Sequence, residues 1–181
     1  DTARVAEMNI QDVVDKYDAD TVASAIDLMM DGSEANMKER IKELPDGDFY
    51  YEQYADNSGL SPEPMPFKVK LTINGDHMLF DFTGSSPQVV APMNCGVPVS
   101  QGGVYVILKS WLDPKSPVNG GTFRPVDFII PEGSCLAAQL PAAVGGCWEL
   151  FRQLQTCVIG LFAQIIPHNV GAENEGGVQH H

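Results

Sequence analysis

The stretch Phe67-Lys68-Val69-Lys70-Leu71-Thr72-Ile73 constrains this chain most, because apolar and polar residues alternate along it without a break. Successive side chains of a strand point to opposite faces, so this run has one face to bury and one to leave in water. Asn74-Gly75 follows directly, a pair suited to the positive backbone dihedrals of a tight hairpin turn, and His77 to Phe82 supplies the return strand. Phe49 to Tyr54 alternates in the same way, separated from the hairpin by a Ser-, Gly- and Pro-rich surface loop, Asn57 to Pro66. Any fold must therefore provide apolar cover for one side of a sheet.

That cover is expected from helices. Val5, Met8, Ile10, Val13, Val14 and Tyr17 recur mostly at three- and four-residue intervals, which predicts a helix over residues 2 to 17. Asp18 to Asp20 can cap a second helix, in which Val22, Ile26, Met29, Met30, Ser33, Met37, Ile41 and Leu44 continue the period until Pro45-Asp46-Gly47-Asp48 ends it. Its methionines read as flexible core filler. Gly84 to Gly103 reads as loop, and Val104 to Leu112 as a third helix stopped by Asp113-Pro114. Val126 to Ile130 is strand-like. After Gly145-Gly146, Trp148, Phe151, Leu154, Val158, Leu161, Phe162 and Ile165 repeat around a helix to Pro167, with Trp148 and Phe151 expected in the core.

Helices first, then a hairpin-containing sheet mixed with helices, is an α+β order. The boundaries read as a helical segment at 1–48, an α+β core at 49–167 and a polar tail at 168–181, all within one piece of a larger domain. The tail, ending in His180-His181, suggests a cut chain.

Residues 1–66 hold 16 acids against 5 bases, and the remainder 8 against 6. A polyanion would be repelled, so nucleic acid is excluded as a partner. The acidic first third is either a solvated helical face or a docking surface for a basic partner. No apolar run approaches the ~20 residues of a membrane span, and Asp1-Thr2-Ala3-Arg4 begins no apolar signal segment, so a cytoplasmic chain without membrane contact is expected. Cys95, Cys135, Cys147 and Cys157 form no C-x-x-C pair and lie among apolar neighbours, which predicts reduced, mostly buried thiols. The histidines lack metal-ligand spacing, so no metal ligand is assigned.

Three segments carry more. The first is Asp81-Phe82-Thr83-Gly84-Ser85-Ser86-Pro87-Gln88 with Pro92-Met93-Asn94-Cys95. The second runs from Leu112-Asp113-Pro114 through Val118-Asn119-Gly120-Gly121-Thr122-Phe123-Arg124-Pro125-Val126 to Ile130-Pro131-Glu132-Gly133-Ser134. The third is Pro141-Ala142-Ala143-Val144-Gly145-Gly146. In this order and spacing they resemble the hydantoinase B family, which includes the B half of 5-oxoprolinase and subunits of acetone and acetophenone carboxylases. The likeness extends over nearly the whole chain to about Pro167.

The resemblance implies an internal piece of a longer subunit in an ATP-dependent complex that hydrolyses a cyclic amide or carboxylates a ketone. It implies ATP on a hydantoinase A type partner with an actin-like fold, and a divalent metal held by segments upstream of this chain. The rest of its own subunit and a small-molecule substrate complete the expected partners. A non-catalytic scaffold segment is the competing reading, and the isolated piece is expected to be inactive. The Asn119 to Pro125 stretch is similar to hydantoinase and acetophenone carboxylase relatives more than to acetone carboxylase. Gly146-Cys147-Trp148-Glu149 departs from the family's pattern after the third motif, which leaves the substrate open.

Each motif residue has two readings. Asp81 and Thr83 are the candidate catalytic residues, with the Asp81 carboxylate orienting a base or pairing with Arg124; an Asx turn is the alternative. Arg124 is a candidate fork for a carboxylate or phosphate, or a structural partner of Asp127 or Asp81. Asn94, Gly145 and Gly146 are candidate substrate or anion contacts, the glycines through a helix N-terminus. Turn formation by Asn94 and Asn119, and close packing at the two glycines, are the alternatives. Cys147 is either a reactive thiol at that helix start or a buried one.

Overall fold

The computed structural model describes residues 2–171, so the final residues, His180 and His181 among them, lie outside the described residues. Four helices and a four-stranded mixed sheet make an α+β arrangement: α1 (Thr2–Tyr17), α2 (Ala19–Lys42), β1 (Gly47–Ala55), β2 (Met65–Asn74), β3 (His77–Asp81), α3 (Val97–Trp111), a 3₁₀ turn (Gly120–Phe123), β4 (Val126–Ile129) and α4 (Cys147–Ile165). The sheet order is β1-β2-β3-β4, antiparallel except for the β3–β4 pair, which is parallel and joined through α3.

The alternation in β2 decides the layering. Phe67, Val69, Leu71 and Ile73 are at most 2% exposed, while Lys68, Lys70 and Thr72 between them stay on the wetter face. Register adds Met78 and Phe80 of β3 to the apolar face. Over it lie Leu154, Val158, Leu161 and Phe162 of α4, Val104 and Leu108 of α3, and Met37 and Ile41 at the end of α2. Burying a side chain of this size contributes roughly 1.5–3 kcal/mol. Gly160 lets α4 come close, since a Cβ there would overlap the Tyr51 ring.

Several expectations need correction. The helix containing Val104 begins at Val97 instead, because Pro98 falls in its first turn, where a missing N–H costs nothing and a fixed φ favours the helix. The apolar stripe of α1 is not buried: no residue of α1 is, and Val5, Met8 and Ile10 are exposed. Of the α2 methionines, Met29 is exposed and is not core filler, whereas Met37 is buried. Trp148 is 57% exposed and does not belong to the core, and Phe151 is half-buried. At the α1–α2 junction Asp18 does cap α2: its Oδ1 accepts from Thr21 N at 2.8 Å.

The hairpin turn is also shifted by one residue. Asn74 pairs with His77, so Gly75-Asp76 forms the two-residue loop, and Gly75 carries the positive φ, 62°. A positive φ at the first central residue alone is the type II′ pattern, in which glycine is preferred. No neighbour lies within 4 Å of a Cβ built at Gly75, so a substitution there tests backbone strain without a clash. Gly75→Val is expected to lower stability by about 1–2 kcal/mol in urea unfolding, with an unchanged m-value. Unaltered stability would show that the turn does not need glycine.

Candidate functional site

The sequence-nominated residues occupy three separate places. Asp81 and Thr83 lie at the C-terminal end of β3, on the face of the sheet that no helix covers. They line a hollow of about 420 Å³ with Tyr50 and Glu52 of β1 and Lys68 and Lys70 of β2. Period-two alternation puts these residues together: Lys70 stands opposite both Tyr50 and Asp81, and Lys68 opposite Glu52. In the sequence these β1 and β2 side chains read only as the polar positions of strands. Their signal is the alternation itself, once the register is known.

The charges of this hollow are largely paired. Lys68 Nζ is 3.1 Å from Glu52 Oε2, and Lys70 Nζ is 3.1 Å from Asp48 Oδ2 and 5.5 Å from the centre of the Tyr50 ring. The Tyr54 hydroxyl donates to Glu52, and that bond, ahead of Lys68, holds the Glu52 carboxyl below its usual pKa. Asp48 is lowered first by the Thr72 hydroxyl and then by Lys70, and Lys70 is raised chiefly by Asp48. These acids therefore stabilise the fold above their unfolded pKa values and lose that contribution as pH falls through the folded ones. Asp81 Oδ1 accepts from Thr83 N at 2.8 Å, an Asx turn, while the rest of the carboxylate borders the hollow.

Arg124 does not join Asp81. β3 and β4 run parallel with Met78 opposite Val126 and Asp81 opposite Ile129, so Arg124 lies at the other end of the strand pair, roughly 10 Å or more along it. Its guanidinium donates to Asp31 Oδ1 at 2.8 Å and Glu34 Oε2 at 3.0 Å, both on α2 and neither of them the expected Asp127 or Asp81. Asn119 belongs to the same joint. Its side chain accepts from Gly121 N at 2.9 Å and donates to Ser33 Oγ at 2.8 Å. A Cβ at Gly121 would overlap Met30 O, so the Asn119 to Arg124 motif is shaped to press backbone against α2.

Asn94, Gly145 and Gly146 form the third place. Asn94 is fully buried; its Oδ1 accepts from Val89 N at 2.8 Å, and its Nδ2 donates to the carbonyls of Val89, Ala91 and Ala143 at 2.9–3.0 Å. Gly146 N donates to Pro92 O at 2.8 Å, and a Cβ at Gly146 would meet that oxygen at 3.0 Å. This N–H is thus engaged within the chain, and the backbone packs closely at Gly146. The first two motifs also meet: Cys135 N donates to Ser86 O and Gln88 N to Gly133 O, bridging Pro87 and Ser134.

All four cysteines are free. Burial pushes the Cys95 thiol up to about 11 and those of Cys135 and Cys157 to about 12, while Cys147 is half-buried. Among the described residues no three His, Cys, Asp or Glu side chains converge as a metal site. No described helix is long and apolar enough to cross a membrane.

The Hydantoinase B/oxoprolinase family matches residues 1–181. A protein of Pseudomonas sp. (strain NS671), provisionally named as the B component of a D-/L-hydantoinase, is 28% identical over 94% of this chain and 31% of its own length. The beta chain of the caprolactamase of Pseudomonas jessenii is 28% identical over 79% of this chain and 25% of that protein. The crystal structure of the ATP-dependent caprolactamase from Pseudomonas jessenii superposes with a TM-score of 0.83 at 25% identity, covering 92% of this chain and 29% of that one. The chain thus spans about a third of the length of the curated relatives that match nearly all of it.

Two outcomes are expected from this geometry. Gly121→Ala should destabilise the fold by about 1–3 kcal/mol, read as a lower melting temperature, because the added methyl meets backbone that cannot swing away. Iodoacetamide at pH 8 should modify Cys147 well before Cys95, Cys135 or Cys157, whose thiols stay protonated there, and all four after denaturation. Labelling of Cys135 in the native protein at the rate of Cys147 would contradict the packing described.

Proposed function

Because this chain belongs to the Hydantoinase B/oxoprolinase family, we propose that it forms the α+β core of a hydantoinase B type subunit, in an ATP-dependent complex that opens a cyclic amide. The observation that carries this reading is the likeness to the ATP-dependent caprolactamase structure over 92% of the chain. Amide opening is preferred to ketone carboxylation on that basis: the acetophenone carboxylase delta subunit of Aromatoleum aromaticum is 26% identical over 81% of the chain, and the acetone carboxylase structure at 17% identity supports the fold alone.

In this complex ATP belongs to a hydantoinase A type partner, consistent with a chain that has no phosphate-cradling loop. A divalent metal, when present, would polarise the carbonyl under attack. The described residues do not fit such an ion, so its ligands are assigned to the remaining part of the subunit. The contribution of this chain to the chemistry is assigned to the hollow on the open sheet face, where Asp81 and Thr83 stand beside Lys68 and Lys70.

A scaffold role is the second reading, and a specific observation favours it. The charges around that hollow, and the groups of Arg124, Asn94 and Gly146, are engaged within the chain.

The full-length subunit with its nucleotide-binding partner separates the two. With ATP and hydantoin, 5-oxoproline or ε-caprolactam, the expected products are the ring-opened carboxylate, ADP and phosphate, and acetone or acetophenone with bicarbonate should yield no carboxylated product. Residues 1–181 alone should yield none of these. Asp81→Asn keeps the oxygen that accepts from Thr83 N and removes the charge, so the turn survives. A fall in kcat of at least tenfold with an unchanged melting temperature supports the catalytic assignment, and an unchanged kcat supports the scaffold.

A further inference from the structure

Helix α1 and the first half of α2 form an arm that the described residues leave uncovered. No residue from Thr2 to Met29 is buried, and only Val14 and Val22 among them are partly so. The anchorage of α2 comes later, at Ser33, Met37 and Ile41. Of the nineteen large apolar side chains exposed among the described residues, eight lie between Val5 and Met29. Apolar groups left in water contribute no burial energy, and a 16-residue helix with none buried is marginal by itself.

Spacing indicates the shape that would cover it. Ala3, Ala6, Ile10, Val13 and Tyr17 follow alternating intervals of three and four, the seam of a helix that packs along another helix. Ala19, Val22, Ile26 and Met29 repeat those intervals on α2. Were the two seams packed on each other they would be hidden. Ile10, Tyr17, Ile26 and Met29 are instead each at least 50% exposed, so both seams are open. Between Thr2 and Met29 six acids stand against two bases, a net charge of −4, and none of the six is ion-paired among the described residues. Asp31 and Glu34, further along α2, are already held by Arg124.

We propose that this arm docks an amphipathic helix of a partner subunit, apolar along one stripe and richer in Lys and Arg than in Asp and Glu beside it. The seam supplies the burial, and charge selects the occupant. A second copy of the chain would set its own net −4 against the first and be repelled, whereas a basic helix is drawn in and meets carboxylates that have no pair to give up. That a partner subunit accompanies this chain rests on the function proposed above.

Photocrosslinking in the intact, assembled complex identifies the occupant. Tyr17, half exposed at the end of the α1 seam, is replaced by p-benzoylphenylalanine, and mass spectrometry reads the peptide joined to it. The expected peptide comes from the partner subunit, with apolar residues at three- and four-residue intervals and an excess of Lys and Arg. A peptide from the rest of the same subunit, from a second copy or from an acidic segment of the partner overturns the proposal, as does the absence of any crosslink.

Two full-length variants test the energetics by calorimetric titration with the separately purified partner subunit. Ile10→Ser with Val13→Ser should weaken association at least tenfold and leave the melting temperature of the free subunit unchanged, because both side chains are exposed. A lowered melting temperature of the free subunit would place the cover of the seam inside that subunit and overturn the proposal. Glu7→Lys with Asp27→Lys should weaken association at least tenfold at low salt, and added salt should weaken the wild-type pair more steeply than this variant. Unchanged affinity in both variants overturns the docking face. If wild type binds its partner and opens a cyclic amide while the arm variants bind equally well, the proposed function stands without this face; if subunit and partner neither associate nor open any cyclic amide, both fail.

Discussion

One buried face organises this molecule: Phe67, Val69, Leu71 and Ile73, on the middle of three antiparallel strands, pressed under α4. A one-residue slip in β2 would exchange these four for Lys68, Lys70 and Thr72, placing two ammonium groups in the layer where Val158, Leu161 and Phe162 now find apolar partners. Desolvating those charges is far costlier than any alternative turn could offset. Register is therefore set by burial, and the same register brings Glu52 opposite Lys68 and Asp81 opposite Lys70 on the other face. The core and the candidate site are two sides of one alternation.

Much of this is legible in the sequence where the determinant is local. Strand alternation, the Asp18 cap and the apolar arc of α4 depend on neighbours within a few residues, and each element forms close to where its pattern lies. What stays hidden depends on distant partners. Arg124 reaches carboxylates about ninety positions earlier, and no spacing rule connects Asp31 and Glu34 to it. Trp148 reads as core by periodicity, yet the arc it belongs to is wider than the surface available to cover it. The start of α3 escapes the pattern for a different reason: Pro98 reads as a breaker, whereas in a first turn it has no N–H to lose.

The glycine- and asparagine-rich motifs illustrate how a segment that resembles a site can be a joint. Asn94 turns its two amide hydrogens towards three carbonyls and accepts one N–H, and so links the Val89 and Ala143 loops beside the start of α4. Gly121 allows backbone to approach backbone more closely than any Cβ permits, and at Gly146 an added Cβ would press tightly on Pro92 O. Such residues hold loops and helices against one another, so their chemistry alone does not mark a binding site.

Satisfaction of polar groups is the sharper criterion. The carboxylates and ammonium groups of the open sheet face hold one another, which lowers the acids and raises Lys70, and a ligand entering there must break a pair for each new bond it makes. The face of α4 is the reverse case. Arg152 makes no ion pair among the described residues, so a group meeting it there breaks none. Binding free energy is the difference between the interactions a ligand makes and those it must first break, so the same bonds yield more affinity where nothing is broken.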